Sequence, residues 1–264
     1  MTILLKPLTL IAIASALTTI ATCPAAAVSL DASAADALSA QFVANAFLTT
    51  LSAVAPVEGS VPPSYDKQNS LPTYYTILHI ADTKANDTAF YVQLNGVVDR
   101  AKGSGIGVDS YGSEGDSKIA TAALSLNLYP PPPAEVVPLV PLQISASAVQ
   151  GSASYSVVVP RPPHVSGTAS FSNLIITGSL VGGQTLTYSG TPPANTVLFR
   201  NAEVTITLNE QLTAATATCI VSQGCTVTPA GIYVNAVHVS LRRASVFGRI
   251  VSGDFFLGHA QAGS

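Results

Sequence analysis

Tryptophan is absent from this 264-residue chain, methionine occurs once and cysteine three times. Charged residues make up 9 % of the sequence and the formal net charge is −3, against roughly 25 % charged residues in an ordinary soluble domain. So few cations exclude the basic stripe that nucleic acid requires, and the single basic doublet, Arg242-Arg243, reads as a solvated strand end. Three cysteines are too few for a disulfide-stapled mini-fold. Neither a G-x-S-x-G nucleophile elbow nor an H-E-x-x-H zinc motif occurs, and nothing in the serine-rich background selects a Ser-His-Asp triad. The chain is therefore expected not to be an enzyme. Beyond residue 27 no apolar run reaches the roughly 20 residues of a membrane span, no strongly amphipathic helix stands out, and no repeat of fixed period occurs.

What is present begins with residues 1–27. Lys6 precedes an apolar run from Leu8 to Ile20, and Pro24-Ala25-Ala26-Ala27 supplies a helix breaker and a small-residue cleavage pattern before Val28. This is the layout of a secretory signal peptide, and it predicts an exported, extracellular or cell-surface protein comprising residues 28–264. A second reading makes Cys23 of Ile20-Ala21-Thr22-Cys23 the acylated first residue of a lipoprotein, tethered to the membrane by its buried acyl chains.

With Cys23 in the leader, Cys219 and Cys225 remain. In an oxidising compartment they are expected to form a disulfide across the intervening five residues, a loop short enough that closure contributes about 2 kcal/mol.

Residues 28–264 read as many short strands punctuated by glycine and proline. The clearest alternation is Glu203–Asn209, where Val204, Ile206 and Leu208 point one way and Thr205 and Thr207 the other. Ile232–Leu241 repeats it, with Tyr233, Val237, Val239 and Leu241 assigned to one face and Val234, Ala236, His238 and Ser240 to the other. Further strands are read over 74–80, 90–98, 118–128, 138–147, 153–159, 166–178 and 250–260. The Ala-rich segment 35–54 also leans to strand through its β-branched and aromatic residues. Residues 58–73 and 103–116 read as loops. The expected fold is all-β, an antiparallel β-sandwich or barrel-like domain, with a β-solenoid as the alternative. A single domain is expected, with its best internal boundary at the run Tyr129-Pro130-Pro131-Pro132-Pro133, since four prolines cannot lie in a central strand.

Three places invite a chemical reading. Asp109, Glu114 and Asp116 sit in a Gly/Ser-rich stretch and could offer calcium its preferred oxygen ligands, or form a hydrated hairpin tip; no other cofactor is implied. Asn209-Glu210-Gln211 could bind a sugar or cap a turn. His238 fits a strand histidine bonded to a neighbour. The nine tyrosines are scattered and form no aromatic platform in sequence.

The order of several short segments carries a family likeness: Asn173-Leu174-Ile175-Ile176-Thr177-Gly178, Pro193-Ala194-Asn195-Thr196, Leu208-Asn209-Glu210-Gln211, Val234-Asn235-Ala236-Val237-His238-Val239, Gly253-Asp254 and Gly258-His259-Ala260. This series resembles the choice-of-anchor P family of exported bacterial proteins. The resemblance implies secretion or surface display and no particular activity; a C-terminal anchor is not expected, because Gly263-Ser264 follows the last strand directly. The expectation is thus an exported, non-enzymatic surface, envelope or extracellular-matrix protein, structural or adhesive. Its partners are unknown and would be drawn from the cell envelope or an extracellular polymer, not nucleic acid. The alternatives are a carbohydrate- or calcium-binding module using the 109–116 loop, and a secreted hydrolase.

Overall fold

A computed structural model describes residues 32–44, 47–60, 64–83, 86–105, 110–129, 139–220, 224–246 and 249–263. The leader with Cys23 and Val28, Asp109, and the prolines at 130–133 lie outside them. The described chain is all-β: β1 (Ala32–Ala44), β2 (Phe47–Val54), β3 (Val57–Ser60), β4 (Tyr65–Thr83), β5 (Asn86–Gly105), β6 (Ser110–Tyr129), β7 (Leu139–Ala146), β8 (Ala148–Val158), β9 (His164–Thr177), β10 (Leu186–Gly190), β11 (Thr196–Arg200), β12 (Val204–Ile220), β13 (Gly224–Val246) and β14 (Arg249–Gly263). Among these residues no helix is long and apolar enough to cross a membrane.

Two seven-stranded antiparallel sheets pack face to face. Sheet A has the order β11-β12-β13-β14-β1-β2, with β3 also on β1; sheet B has the order β10-β9-β7-β6-β5-β4, with β8 joining β6 and β9. Sheet B takes strands from both sides of the proline run. The final strand β14 lies inside sheet A, paired with β13 and β1, rather than closing an edge. Segments 58–73 and 103–116, expected as loops, are largely strand: β3 and the start of β4 occupy the first, and β5 runs to Gly105 and β6 starts at Ser110 in the second.

A transverse bend crosses both sheets. A regular strand alternates its side chains, but on four adjacent strands of sheet A two consecutive residues are buried: Ala37-Leu38, Leu208-Asn209, Ala236-Val237 and Leu257-Gly258. Facing them, sheet B has consecutive exposed residues at Pro72-Thr73, Ala120-Thr121, Ser147-Ala148 and Ser172-Asn173. Left-handed backbone along the bend is supplied by Asn209 (φ 49°), Asn173 (φ 51°), Gly96 (φ 60°) and Gly258 (φ 67°), residues that tolerate that region better than most.

The two halves have different cores. On one side the sheets are held apart by Phe42, Phe90 and Phe255, with ring centroids 5.1 to 6.3 Å apart, inside a large aliphatic cluster. On the other side lie two smaller clusters, one in which Tyr155, Val157, Ile232 and Val234 pack with Ala153, Ala260 and Ala262, and one of Ala35, Val57 and Ala101. There a Cβ on Gly115 would strike the carbonyl oxygens of Ala34 and Gln261, and one on Gly151 the carbonyl oxygen of Gly258.

Candidate functional site

His238 lies on the outer face of sheet A, opposite Val237, Val239 and Leu241. With Ala236 and Val237 both inward, Val234 and Ala236 lie on the other side from His238, where simple alternation puts them on the same side; Tyr233 is likewise on the opposite side from Val237. On the neighbouring strands β12 and β14, Glu210 and Asp254 flank His238, and Asn235 of β13 links Glu210 to His259 of β14.

His238 Nδ1 lies 2.9 Å from Glu210 Oε1, and Nε2 lies 2.9 Å from Asp254 Oδ1. Ionised carboxylates only accept, so both ring nitrogens donate and the ring is an imidazolium. Burial alone would push the His238 pKa down; the hydrogen bonds to Asp254 and Glu210 outweigh it and lift the value to about 9. Burial is the largest single influence and works to raise Glu210 and Asp254, but the hydrogen bond and charge of His238, with Asn235 on Glu210 and Ser240 and Arg242 on Asp254, together outweigh it and both carboxyls end below their ordinary range. Phe256 stacks on the imidazolium at a centroid distance of 4.5 Å, a cation–π contact.

The protonation pattern propagates outward. Asn235 Nδ2 donates to Glu210 Oε2 at 2.7 Å, so its Oδ1 is left as the acceptor for His259 Nδ1, also at 2.7 Å. His259 therefore carries its proton on Nδ1 and is neutral; burial drives its pKa down to about 4. The side chains of Glu210 and His238 are 17 % and 18 % exposed, too little for water to screen the pairing as it would on an open surface.

The other residues of the Asn209-Glu210-Gln211 segment hold the 192–195 turn against β12. Asn209 Nδ2 donates to the Pro192 carbonyl at 2.8 Å, and the Gln211 backbone N–H donates to Asn195 Oδ1 at 2.8 Å. Gln211 Nε2 donates to the Gly167 carbonyl at 2.7 Å, tying sheet A to sheet B.

Chemically, the cluster is a strut. His238 has no lone pair to offer a proton or a metal, and both of its flanking carboxylates are engaged. Among the described residues no group of three or more His, Cys, Asp or Glu side chains is arranged to hold a metal ion.

Glu114 and Asp116 lie on strand β6, opposite Lys102 and Arg100 of β5. Glu114 Oε2 is 3.9 Å from Lys102 Nζ, and Arg100 donates through Nε to Asp66 at 2.7 Å. They belong to an exposed cross-strand charge ladder. Beside it opens a cavity of about 310 Å³, lined among others by Lys102, Ser104, Glu114, Ser154, Ser156 and Val158. Cys219 and Cys225 sit directly opposite each other in the β12–β13 backbone register. The sequence alone could not reveal the five-residue outer cluster, because its members are brought together by the register of β12, β13 and β14, which leaves no mark in the apolar pattern.

No protein-family model, curated protein or solved structure matches this chain.

Proposed function

We propose that this chain is an exported, non-enzymatic surface, envelope or extracellular-matrix protein of the choice-of-anchor P type, with a structural or adhesive role. One observation supports the reading most directly. The scattered segments that carry the family likeness supply two hydrogen-bonded groups at the bend: Asn195, Asn209 and Gln211, and Glu210, Asn235, His238, Asp254 and His259. Their hydrogen-bonding capacity is directed from strand to strand. A partly buried ionic strut of this kind suits a protein whose task is to hold its shape outside the cell.

Expression of the full chain in a bacterial host, followed by fractionation and mass measurement of the N-terminus, tests the proposal. The expected result is protein in the extracellular or surface fraction beginning at Val28. An acylated Cys23 would keep export and replace free secretion by a membrane tether. A cytoplasmic chain that retains residues 1–27 would overturn the reading.

A further inference from the structure

The outer face of sheet B changes character at the bend. Toward the end of β5 and the starts of β4 and β6 it carries charges, among them Asp66, Arg100, Lys102 and Glu114. On the other side, over the outward positions of Thr73–Ile77 on β4, Tyr91–Asn95 on β5 and Thr121–Ser125 on β6, it carries none.

That neutral zone holds an ordered aromatic pair. Tyr75, 56 % exposed, meets Tyr91 edge to face with centroids 5.2 Å apart. The two residues are diagonal neighbours, because Tyr75 is in register with Gln93 and Ile77 with Tyr91. The Tyr91 hydroxyl donates to Gln93 Oε1 at 3.0 Å, and Asn95 Nδ2 donates to Thr121 Oγ1 at 2.9 Å. The first bond fixes Gln93 through its acceptor and the second fixes Asn95 through a donor. Two oriented amides thus retain N–H donors on Gln93 and a carbonyl acceptor on Asn95. The tyrosines, dispersed in sequence, become a platform only through strand register.

We propose that this face binds a neutral glycan, with Tyr75, Tyr91, Gln93 and Asn95 as the contact residues. A pyranose ring presents C–H groups on its faces, which pack against an aromatic ring, and hydroxyls on its rim, which both donate and accept toward fixed amides. Tyrosine supplies such a surface with only two side-chain torsions to order. Charge complementarity selects the class: an ionic ligand meets no counter-charge here, and a protein partner of ordinary composition would have to desolvate its own charges against an uncharged face. Three strands at about 4.8 Å spacing give a platform about 10 Å wide, enough for a short stretch of a glycan chain. The proposal does not depend on where the protein resides in the cell.

The experiment is affinity electrophoresis of the full chain in gels containing laminarin, xyloglucan, amylose or alginate, with pull-down on cellulose and chitin. The expected result is retention by at least one neutral polysaccharide, weakened at least tenfold by Tyr75→Ser and severalfold by Gln93→Ala. Leu212→Ser, which removes a side chain 55 % exposed on sheet A, should leave retention unchanged; melting curves confirm that each variant is folded. Failure to bind any neutral polysaccharide overturns the proposal. So does binding that survives both platform substitutions, a preference for the anionic alginate, or a Tyr75→Ser effect that sedimentation traces to loss of self-association.

Discussion

Around Phe42, Phe90 and Phe255 the two sheets are kept apart by large side chains, whereas around Gly115 and Gly151 they approach until backbone faces backbone. The first region has an ordinary sandwich core, in which apolar burial contributes about 25 cal/mol per Å². In the second, little side-chain volume is available, and cohesion comes from close contact and hydrogen bonds between sheets. The Ser113 hydroxyl, for example, accepts from the Gly263 N–H at 3.0 Å and donates to the Gly263 carbonyl at 2.9 Å. The difference teaches that a thick core tolerates repacking, while a thin one admits almost no added atom. It also explains where the costly polar groups lie. Asp99 is fully buried on the thin side. Burial, opposed by Ser117 and reinforced by the charge of Asp36, pushes its pKa up to about 8.

The sharpest way to break this comparison is to change one side chain in each half. Gly151→Val should prevent folding outright, read as loss of soluble protein, because its Cβ meets the Gly258 carbonyl of the facing sheet. Phe90→Ala should leave a folded protein destabilised by about 3–5 kcal/mol in urea titration. If the valine variant is the more stable of the two, the thin core is not the rigid element described.

His238→Ala comes next, at about 3 kcal/mol, since it leaves Glu210 and Asp254 facing each other without a cation in a partly buried site. This variant also sharpens the pH behaviour. His238 binds its proton more tightly folded (about 9) than unfolded (about 6.5), so its contribution is complete below pH 6.5 and is lost as pH rises toward 9. Asp99 acts in the same direction: folded it holds a proton up to about pH 8, unfolded only to about pH 4. The melting temperature should therefore fall between pH 6.5 and 9. Removing His238 should flatten that slope across the whole interval, and Asp99→Asn should flatten its part below pH 8 while raising stability at pH 8 and above. His259 works oppositely and lower: with a folded value near 4, it favours folding increasingly as pH rises from 4 to 6.5. A melting temperature that climbs between pH 6.5 and 9 would contradict both assignments.

The smallest effect is expected at the exposed ladder. Arg100→Ala breaks the pair with Asp66, but both side chains are about half exposed and solvent screens the interaction. No change in melting temperature should be detectable, in contrast to His238→Ala. A loss comparable to that of the histidine variant would show that burial is not what separates the two clusters.

Legibility in the sequence followed the same division. The strands of the thick half announce themselves through Val204, Ile206 and Leu208, or Val237, Val239 and Leu241, because a thick core needs large apolar residues at every second position. Strand residues of the thin half were read as loop at Gly103 and at Ser110–Asp116. Their glycines and serines are the residues a close sheet-to-sheet approach demands, and composition does not distinguish that demand from a turn. Alternation places His238 opposite Val237, Val239 and Leu241, as the structure has it; what it misses is the phase change at Ala236-Val237, which turns Val234 and Ala236 inward and Tyr233 outward. Of the candidate site, the sequence offered His238 and the Asn209-Glu210-Gln211 segment as separate polar residues. That Glu210 and His238 touch could not be read from them.

What the chain's sequence determined by itself is an all-β class, since alternation and β-branched composition are local properties that each strand states independently. What only the tertiary structure decided is the phase. A line of paired inward residues sets which face His238, Glu210 and Asp254 share, and the β4–β5 register sets which tyrosines become neighbours. Those outcomes depend on strand register and on how closely the sheets approach, quantities fixed by contacts between residues far apart in the chain.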